Sequence, residues 1–378
     1  MHKNVQKMKQ NNPFITEGYI GREYFCDRKD EVADMLAALR SRRNMTVYSP
    51  RRMGKTGLIL RTFDDCLEAK CYYIDIMHTA CLKDFVSLLA TEIIGSLDGP
   101  VDKLLKKVSD ISRHLRPVIS ADTYTGAPSL TVTVQPDEEQ PTLKEIFDYL
   151  AHYDHPCYIA IDEFQAINDY PEQNVEALLR SYIQFLPNCT FIFSGSKKHL
   201  MQEMFSSPKR PFYQSTQSMS LQAINRDAYA DFATDFFSQV GCMLPRECFY
   251  HIYDSVHGHT WYIQYWLSKL YEMKEKQIDM SLVNLTLKKI MGEEEDNYLT
   301  YMRLLTPAQR KIITAIAKEG RISQPLASSF TSKYQLPAIS TIRSSLAKLI
   351  EDDLVLFDHN DYSVYNRFFM LWLSQRGV

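Results

Sequence analysis

Short apolar runs alternate with amphipathic stretches through roughly the first half of the chain. Four runs rich in β-branched and aromatic residues predict strands, and helical periodicity in the stretches between them predicts helices. The predicted strands are Thr46–Tyr48, Cys71–Ile76, Cys157–Glu163 and Thr190–Ser196. This alternation predicts the α/β class, with a parallel sheet that carries helices on both faces.

Local signals predict where several helices begin and which way they face. Asp27 is predicted as the N-cap of a helix that precedes the first strand. The helix after that strand is predicted to place Ile59, Phe63 and Leu67 on one apolar face. The sequence Thr142-Leu-Lys-Glu is predicted to start a further helix as a capping box.

The pattern changes along the rest of the chain and suggests a division into domains. Alternating stretches around a turn-rich segment predict a β-hairpin inserted at about 100–141. An aromatic-rich helical pattern at 219–297 predicts a small lid domain. Three helices and a β-hairpin, the plan of a winged helix, are predicted for 298–378. The remaining segments are a flexible arm at 1–16 and an α/β domain at 17–218.

Composition narrows the class of protein without indicating a ligand. The chain has 378 residues, a net charge of −3 and 24% charged residues, which is typical of a globular protein. None of its eight cysteines forms a Cys-x-x-Cys pair, so free thiols in a reducing compartment are predicted. The N-terminus has no apolar segment of a signal peptide, and no apolar run has the length of a membrane span. A cytoplasmic protein without membrane contact is therefore expected.

The first strand leads into the motif SPRRMGKT. Strand, loop, Gly-Lys-Thr and helix is the P-loop arrangement, in which backbone N–H groups and a helix N-terminus face phosphates. Lys55 is predicted to reach the β- and γ-phosphates of ATP, and Thr56 to ligate Mg²⁺. The predicted nucleotide-binding residues are Ser49, Pro50, Arg51, Arg52, Met53, Gly54, Lys55, Thr56 and Gly57. The alternative is a chance Gly-Lys-Thr in a basic loop.

A second motif supports the P-loop interpretation. The apolar strand that begins at Cys157 ends in two acids, Asp162 and Glu163. At the carboxyl edge of a parallel sheet, Asp162 is predicted to hold Mg²⁺ and Glu163 to activate the attacking water. A strand ending in Asp-Glu is common by itself, but its position after the P-loop predicts an ATP site. Lys55 and Glu163 are the predicted catalytic residues, and 17–218 is predicted to be a P-loop ATPase domain.

Two further positions are candidates for phosphate contact. The strand that begins at Thr190 ends in Ser-Gly-Ser, so Ser194 or Ser196 is a candidate sensor of the γ-phosphate, with a plain turn as the alternative. Arg210, in a basic loop with prolines, is a candidate phosphate-facing or partner-facing arginine. A solvated basic loop is the favoured interpretation of that segment.

The predicted winged helix raises the question of DNA. Its third helix would present Arg343 and Lys348, and residues 301–378 contain ten Lys or Arg against six Asp or Glu. That excess is compatible with contact to a DNA backbone but lower than strong binders carry. Contact with a protein partner, or with the ATPase domain itself, is the open alternative.

Taken together, the motifs resemble the archaeal-type ATPases, a branch of the STAND and AAA+-like P-loop proteins. The resemblance rests on the segment Tyr24–Glu31, SPRRMGKT, IDEFQ, FSGS, the basic loop ending in Pro-Phe-Tyr, the Gly-His-Thr-Trp turn and VYNRFFMLWL. It implies an ASCE-type core with the sheet order of that class, a helical lid and a winged-helix tail. It also implies ATP and Mg²⁺ binding by Lys55, Thr56, Asp162 and Glu163.

The resemblance extends to two positions outside these motifs and has three departures. It implies that Arg28 flanks the adenine and that the turn at Gly258 faces the base. Asp27 replaces the usual glycine before that arginine, Ser49 replaces the first P-loop glycine, and Thr260 replaces a proline. Because the catalytic residues are retained, nucleotide binding is expected to tolerate these changes better than fast turnover does.

The sequence thus predicts an ATP-binding protein that hydrolyses ATP slowly and acts as a nucleotide-driven switch with a winged-helix output. One alternative is an ATP-dependent DNA-handling protein of mobile-element or defence systems. Another is an interaction scaffold that binds ATP without hydrolysing it. DNA or a protein is the expected partner of the winged helix, and a homo-oligomer is compatible with the sequence.

Overall fold

A computed structural model describes residues 11–95, 108, 111–121, 128–358 and 360–376. These residues fall into two compact units, one running from Glu17 to Ala223 and one that joins Asn12–Thr16 to the chain from Ile224 onward. Residues 1–10 of the predicted arm, and residues 100–107, 109–110 and 122–127 of the predicted insertion, lie outside the described residues. The predicted domain boundaries therefore stay predictions.

A five-stranded parallel sheet forms the centre of the first unit. Its strands are Met45–Tyr48 (β1), Lys70–Asp75 (β2), Cys157–Asp162 (β5), Cys189–Gly195 (β6) and Gln217–Ser220 (β7), and the antiparallel pair Leu115–Ala121 (β3) and Pro128–Val134 (β4) is separate. The sheet order is β2-β5-β6-β1-β7, so that β6 separates the P-loop strand from the strand that ends in Asp162.

Helices cover both faces of this sheet. They are Lys29–Arg40 (α1), Lys55–Phe63 (α2), Leu82–Gly95 (α3), Glu139–Ala151 (α4), Val175–Ile183 (α5) and Lys198–Ser206 (α6). Successive strand residues enter different apolar clusters, because side chains alternate across a strand. Ile159 and Phe191 pack with residues of α3, α4 and α5, whereas Tyr158 and Ile192 pack with residues of α1 and α2. The predicted fold class is confirmed.

Strand β7 was not predicted. Its sequence, Gln-Ser-Met-Ser, lacks an apolar run because the strand lies at the edge of the sheet and is largely exposed. It pairs in parallel with β1. The helical pattern predicted from residue 219 in fact begins at Arg226.

Two predicted helix starts are wrong. Asp27 has a left-handed backbone with φ 53°, and the N-cap of α1 is Arg28, whose side chain makes no capping hydrogen bond. Helix α4 begins at Glu139, so Thr142 lies inside the helix and its hydroxyl donates to the Glu138 carbonyl at 2.5 Å. A hydroxyl that returns to the preceding turn cannot cap a helix start.

The predicted apolar face of α2 is too long. The helix ends at Phe63, and Leu67 lies in the following loop with 93% of its surface exposed. Ile59 is buried as expected. Periodicity alone did not reveal the helix end, because Asp64 and Asp65 fit either a helix or a turn.

The second unit is mostly helical. Its elements are Arg226–Gln239 (α7), Arg246–Ser255 (α8), Thr260–Glu272 (α9), Met280–Glu293 (α10), Glu295–Leu304 (α11), Pro307–Glu319 (α12), Ser328–Lys333 (α13), Ile339–Glu351 (α14), Val355–Asp358 (β8), Asp361–Val364 (β9) and Arg367–Ser374 (α15). Thr306 and Gln309 form a capping box at α12. Phe368 of α15 packs edge to face on Tyr262 of α9. No described helix is long and apolar enough to cross a membrane.

Candidate nucleotide site

Three neighbouring parallel strands bring the predicted site residues to one edge of the sheet. The P-loop follows β1, Asp162 ends β5, and Ser194 lies near the end of β6. Val47 pairs with Ser194 in register, and Ile161 pairs with Phe193. Parallel strands end at the same edge, which is where α/β sheets bind ligands.

The lysine of the P-loop is buried and contacts the backbone of the same loop. Lys55 is 5% exposed, and its ammonium donates to the carbonyls of Ser49 at 3.1 Å and Pro50 at 3.3 Å. Burial lowers the pKa of Lys55, while Glu163 and Asp162 act in the opposite direction. Gly54, the N-cap of α2, has a φ of 99° that disfavours any side chain.

Ser49 stands where the usual motif has glycine, and its backbone explains why a side chain is tolerated. Among the described residues, those with positive φ include Arg52 but not Ser49. The Ser49 hydroxyl donates to the Pro50 carbonyl at 3.1 Å, and its N–H lies 3.4 Å from the Gly195 carbonyl. The first position of this loop therefore does not require the conformational freedom of glycine.

Thr56 and Asp162, the two predicted metal ligands, are in direct contact. The Thr56 hydroxyl donates to Oδ2 of Asp162 at 2.8 Å. Tyr73 of β2 donates its hydroxyl to the same oxygen and lies 3.2 Å from the Thr56 hydroxyl. Burial, followed by the negative charge of Asp162, raises the pKa of Tyr73, which keeps the phenol a donor. Three oxygen-bearing side chains thus meet beside the first turn of α2.

The second carboxylate oxygen of Asp162 is held from β6 and from the backbone. Ser194 is buried and its hydroxyl donates to Oδ1 of Asp162. The N–H of Glu163 donates to the same oxygen at 3.0 Å. Ser194, one of the two candidate phosphate sensors, therefore contacts the predicted metal ligand.

Glu163 is fixed by a different group of donors. Its backbone is left-handed, with φ 55°. Its Oε2 accepts hydrogen bonds from the Ser196 hydroxyl at 2.7 Å, from the Ser196 N–H at 3.3 Å and from the Gln165 amide. Arg51 of the P-loop donates to the Ser196 hydroxyl at 3.4 Å. Ser196 thus links the predicted catalytic glutamate to the P-loop.

Sequence reasoning missed Tyr73 and Gln165. Gln165 is 4% exposed, and a Cβ at Gly195 would lie 2.2 Å from its Oε1. Glycine at position 195 therefore gives the Gln165 side chain its space. In the sequence, Tyr73 is one of two adjacent strand tyrosines, and Gln165 ends the motif IDEFQ, in which only the two acids were assigned roles.

Two other predicted positions, Arg28 and Arg210, lie in the first unit. Arg28 is 3% exposed and donates to the carbonyls of Gln222 at 2.8 Å and Met53 at 3.2 Å, so it joins the P-loop to the segment that follows β7. Arg210 pairs with Glu176 at 2.7 Å and with Glu203 at 3.6 Å. The proposed contacts of Arg28 with adenine and of Arg210 with phosphate stay predictions. Gly258 belongs to the second unit, and its contact with the base is likewise a prediction.

Similarity to known proteins concerns the winged helix and the fold. Residues 296–375 match the family described as "Probable winged helix domain". No sequence among the curated proteins matches the chain. The Walker-type ATPase PABY2304 of Pyrococcus abyssi is similar in structure, with a TM-score of 0.65 and 16% identity over 96% of this chain and 99% of that chain.

The ORC2 and ORC1 proteins of Aeropyrum pernix are also similar in structure. ORC2 in its ADPNP–ADP complexes gives a TM-score of 0.60 with 16% identity, over 97% of this chain and 96% of that chain. ORC1 in complex with DNA gives 0.51 with 12% identity, over 96% of both chains. Such identities concern the fold and do not transfer function. The chain therefore has the fold of an archaeal-type P-loop ATPase with a C-terminal winged helix, as the resemblance implied.

Proposed function

We propose that the protein binds ATP with Mg²⁺, hydrolyses it slowly and uses the nucleotide state as a switch. The observation that carries this proposal is the contact between Thr56 and Asp162 beside the P-loop lysine. A hydroxyl, a carboxylate and a buried ammonium at one sheet edge are the groups that a P-loop ATPase needs.

The residues at this site fit both ATP and Mg²⁺. Gly54 has the left-handed backbone of a phosphate-cradling turn, and Lys55 supplies a cation next to it. Thr56 and Asp162 offer hard oxygen donors, which suit Mg²⁺. Bound Mg²⁺ would neutralise charge on the phosphates. Thr56 would hold the metal directly, and Asp162 would orient it or its water.

The environment of Glu163 supports slow turnover. To act as a base, its carboxylate must accept a proton from the attacking water. Oε2 already accepts three hydrogen bonds, two from Ser196 and one from Gln165. These donors occupy the oxygen that would take the proton and hold the carboxylate in place, so the hydrogen bonds must rearrange before water can use it. Slow hydrolysis is the rate that a switch requires, because it keeps the ATP state populated.

The switch proposal rests on the position of β6. Ser194 of β6 contacts Asp162, and Ser196, the first residue after β6, contacts Glu163, so the C-terminal end of this strand is linked to both acids. A change at the γ-phosphate would therefore alter hydrogen bonds on one strand. We propose that the winged helix delivers the output, through a protein partner or a second copy of the chain.

DNA handling is the second candidate, and one observation weighs against it. On α14, Arg343 is exposed, but Lys348 is paired with Asp352 at 2.9 Å and with Glu351 at 3.2 Å. Paired lysines release fewer counterions on DNA binding than free ones. The ORC1 structure in complex with DNA keeps this candidate open through its fold. A non-hydrolysing ATP-bound scaffold is the third candidate.

The test is phosphate release from ATP with Mg²⁺, with and without duplex DNA. Wild type is compared with Lys55→Ala and Glu163→Gln, and Lys144→Ala, an exposed lysine of α4, is the control. We expect slow turnover in wild type and the control, and none in the two site variants. ATP binding without phosphate release in any condition would favour the scaffold. Turnover that rises strongly with DNA would favour DNA handling.

A further inference from the structure

Three basic side chains lie together in the second unit. His257 follows α8, Arg321 follows α12, and Arg367 begins α15. The group therefore joins the predicted lid to the predicted winged helix within one compact unit. We call these three residues the arginine–histidine cluster.

Two members of the cluster are joined by a hydrogen bond. Nε of Arg321 donates to Nδ1 of His257 at 3.2 Å. Because Nδ1 accepts, the neutral imidazole carries its proton on Nε2 and can donate it to a ligand. Gly320 has a φ of 70°, and a Cβ there would lie 3.3 Å from His257 Nε2. Glycine at this position gives the imidazole its space.

Arg367 is the buried member. It is 5% exposed, and its Nη1 donates to the Val364 carbonyl at 2.9 Å. Its Nε is buried without a hydrogen-bond partner among the described residues. A buried guanidinium is costly unless all its donors are satisfied and its charge is compensated.

The two arginines are the charged members of the cluster, because the His257 imidazole is neutral. In the part of the chain that the structure describes, no ion pair joins these residues to a carboxylate. Burial, Arg367 and Arg321 together lower the pKa of His257 to about 3. Burial, then Arg321, lowers the pKa of Arg367 to about 10. The backbone places the two arginines at the same strand: Ile322, which follows Arg321, forms an antiparallel bridge with Tyr362 of β9, and Arg367 donates to Val364 of β9.

We propose that the arginine–histidine cluster binds a phosphoryl anion. A phosphoryl group carries one or two negative charges at neutral pH, and guanidinium groups bind its oxygens through paired N–H donors. His257 Nε2–H adds a third donor. The phosphoryl group belongs either to free phosphate, including a nucleotide's, or to a nucleic-acid backbone.

The first experiment measures stability against inorganic phosphate. The full chain carries Lys55→Ala, so that phosphate binding at the P-loop is weakened, and is compared with the same chain carrying Arg321→Gln as well. Arg321 is exposed, so this change does not threaten folding. At phosphate tenfold above Kd we expect the melting temperature to rise by about 3 °C, and the rise to be lost with Arg321→Gln. Arg343→Gln is the matched control and keeps the rise.

The second experiment records the His257 imidazole by NMR, with His257→Asn to assign its signal. Without phosphate the imidazole stays neutral at pH 6, and with phosphate its pKa rises towards the ordinary value. Equal effects of phosphate with and without Arg321→Gln, or ordinary titration of His257 in phosphate-free buffer, would overturn the proposal. Short duplex DNA separates the sources. A DNA effect on the His257 signal that Arg321→Gln abolishes assigns the site to a nucleic-acid backbone, and an effect of phosphate alone assigns it to free phosphate.

Discussion

The Thr56 hydroxyl donates a hydrogen bond to the Asp162 carboxylate over 2.8 Å, although the two residues are 106 positions apart. The bond joins the first turn of α2 to the end of β5. Because Tyr73 and Ser194 donate to the same carboxylate, Asp162 has little freedom to rotate. The geometry of the proposed metal site is thus set by strands on both sides of β5.

Tyr73→Phe removes one of these donors without changing the shape of the side chain. We expect the Mg²⁺ concentration for half-maximal stimulation of ATP binding to rise about tenfold, because residues that orient metal ligands have effects of that size. ATP affinity in EDTA should not change. A fluorescent ATP analogue, titrated at several Mg²⁺ concentrations, measures both.

Tyr72→Phe is the matched control, because Tyr72 is the preceding strand residue and points to the opposite face. We expect it to leave the Mg²⁺ requirement unchanged. If Tyr73→Phe behaves like this control, the phenol does not position Asp162.

Gly195→Ala should damage the site by crowding. The new Cβ would lie 2.2 Å from Gln165 Oε1 and 2.6 Å from Met201 Sδ, so both side chains must move. We expect a loss of about 1–3 kcal/mol in the free energy of unfolding, as in other overpacked cores, and weaker turnover because Gln165 contacts Glu163. Urea unfolding and phosphate release are the measurements.

Gly292→Ala serves as the comparison for that change. Gly292 lies in helix α10, and no described atom lies within 4 Å of the position that a Cβ would take there. Alanine should therefore stabilise the protein by about 0.5–1 kcal/mol. Equal effects of the two substitutions would show that space at position 195 is not the limiting factor.

His257 should make stability depend on pH. Its folded-state pKa is about 3, below the value of about 6.5 expected in the unfolded chain. The stability it confers is full above pH 6.5 and is lost as the pH falls towards 3, because the unfolded chain binds the proton first. Between pH 7 and pH 5 the loss is about 2 kcal/mol.

His257→Asn should flatten this dependence, since asparagine tolerates the φ of 55° found at that position. Urea unfolding at pH 7 and pH 5, in a buffer without phosphate, compares the two proteins. An equal loss in wild type and variant would assign the pH effect to other groups.

Lys348→Ala should have little effect on any DNA affinity, because Asp352 and Glu351 already pair with this lysine. We expect a change of less than about twofold, against a larger loss for Arg343→Gln if α14 contacts DNA at all. Fluorescence anisotropy with a labelled duplex at two salt concentrations measures this. A large loss with Lys348→Ala would show that the ion pairs open on binding.

The motifs were predictable from sequence because each is local. Gly54, Lys55 and Thr56 are consecutive, and an apolar run marks the strand that ends in Asp162. The fold class followed from the alternation of strands and helices. The features that the sequence did not predict depend on contacts between distant segments. Asp27 was predicted as the helix cap. The N-cap is instead the adjacent Arg28, whose buried side chain donates to the carbonyls of Met53 and Gln222.

The partners of the predicted site residues were not predictable. Tyr73 meets Asp162, and Ser196 meets Glu163, because β5 lies between β2 and β6 in the sheet. The spacing of residues along the sequence does not indicate the order of the strands in the sheet. Strand β7 lacked an apolar pattern because an edge strand buries little of its surface.

The position of β1 has a consequence for synthesis. This strand pairs with β6 on one side and with β7 on the other. Met45 can therefore form its strand pairs only after Ile192 and Gln217 have been synthesised and have left the ribosome. A nascent chain that ends before β7 leaves one edge of β1 open, and exposed strand edges recruit other chains. Truncations between Gly195 and Gln217 should therefore aggregate, although they contain the P-loop and both acids.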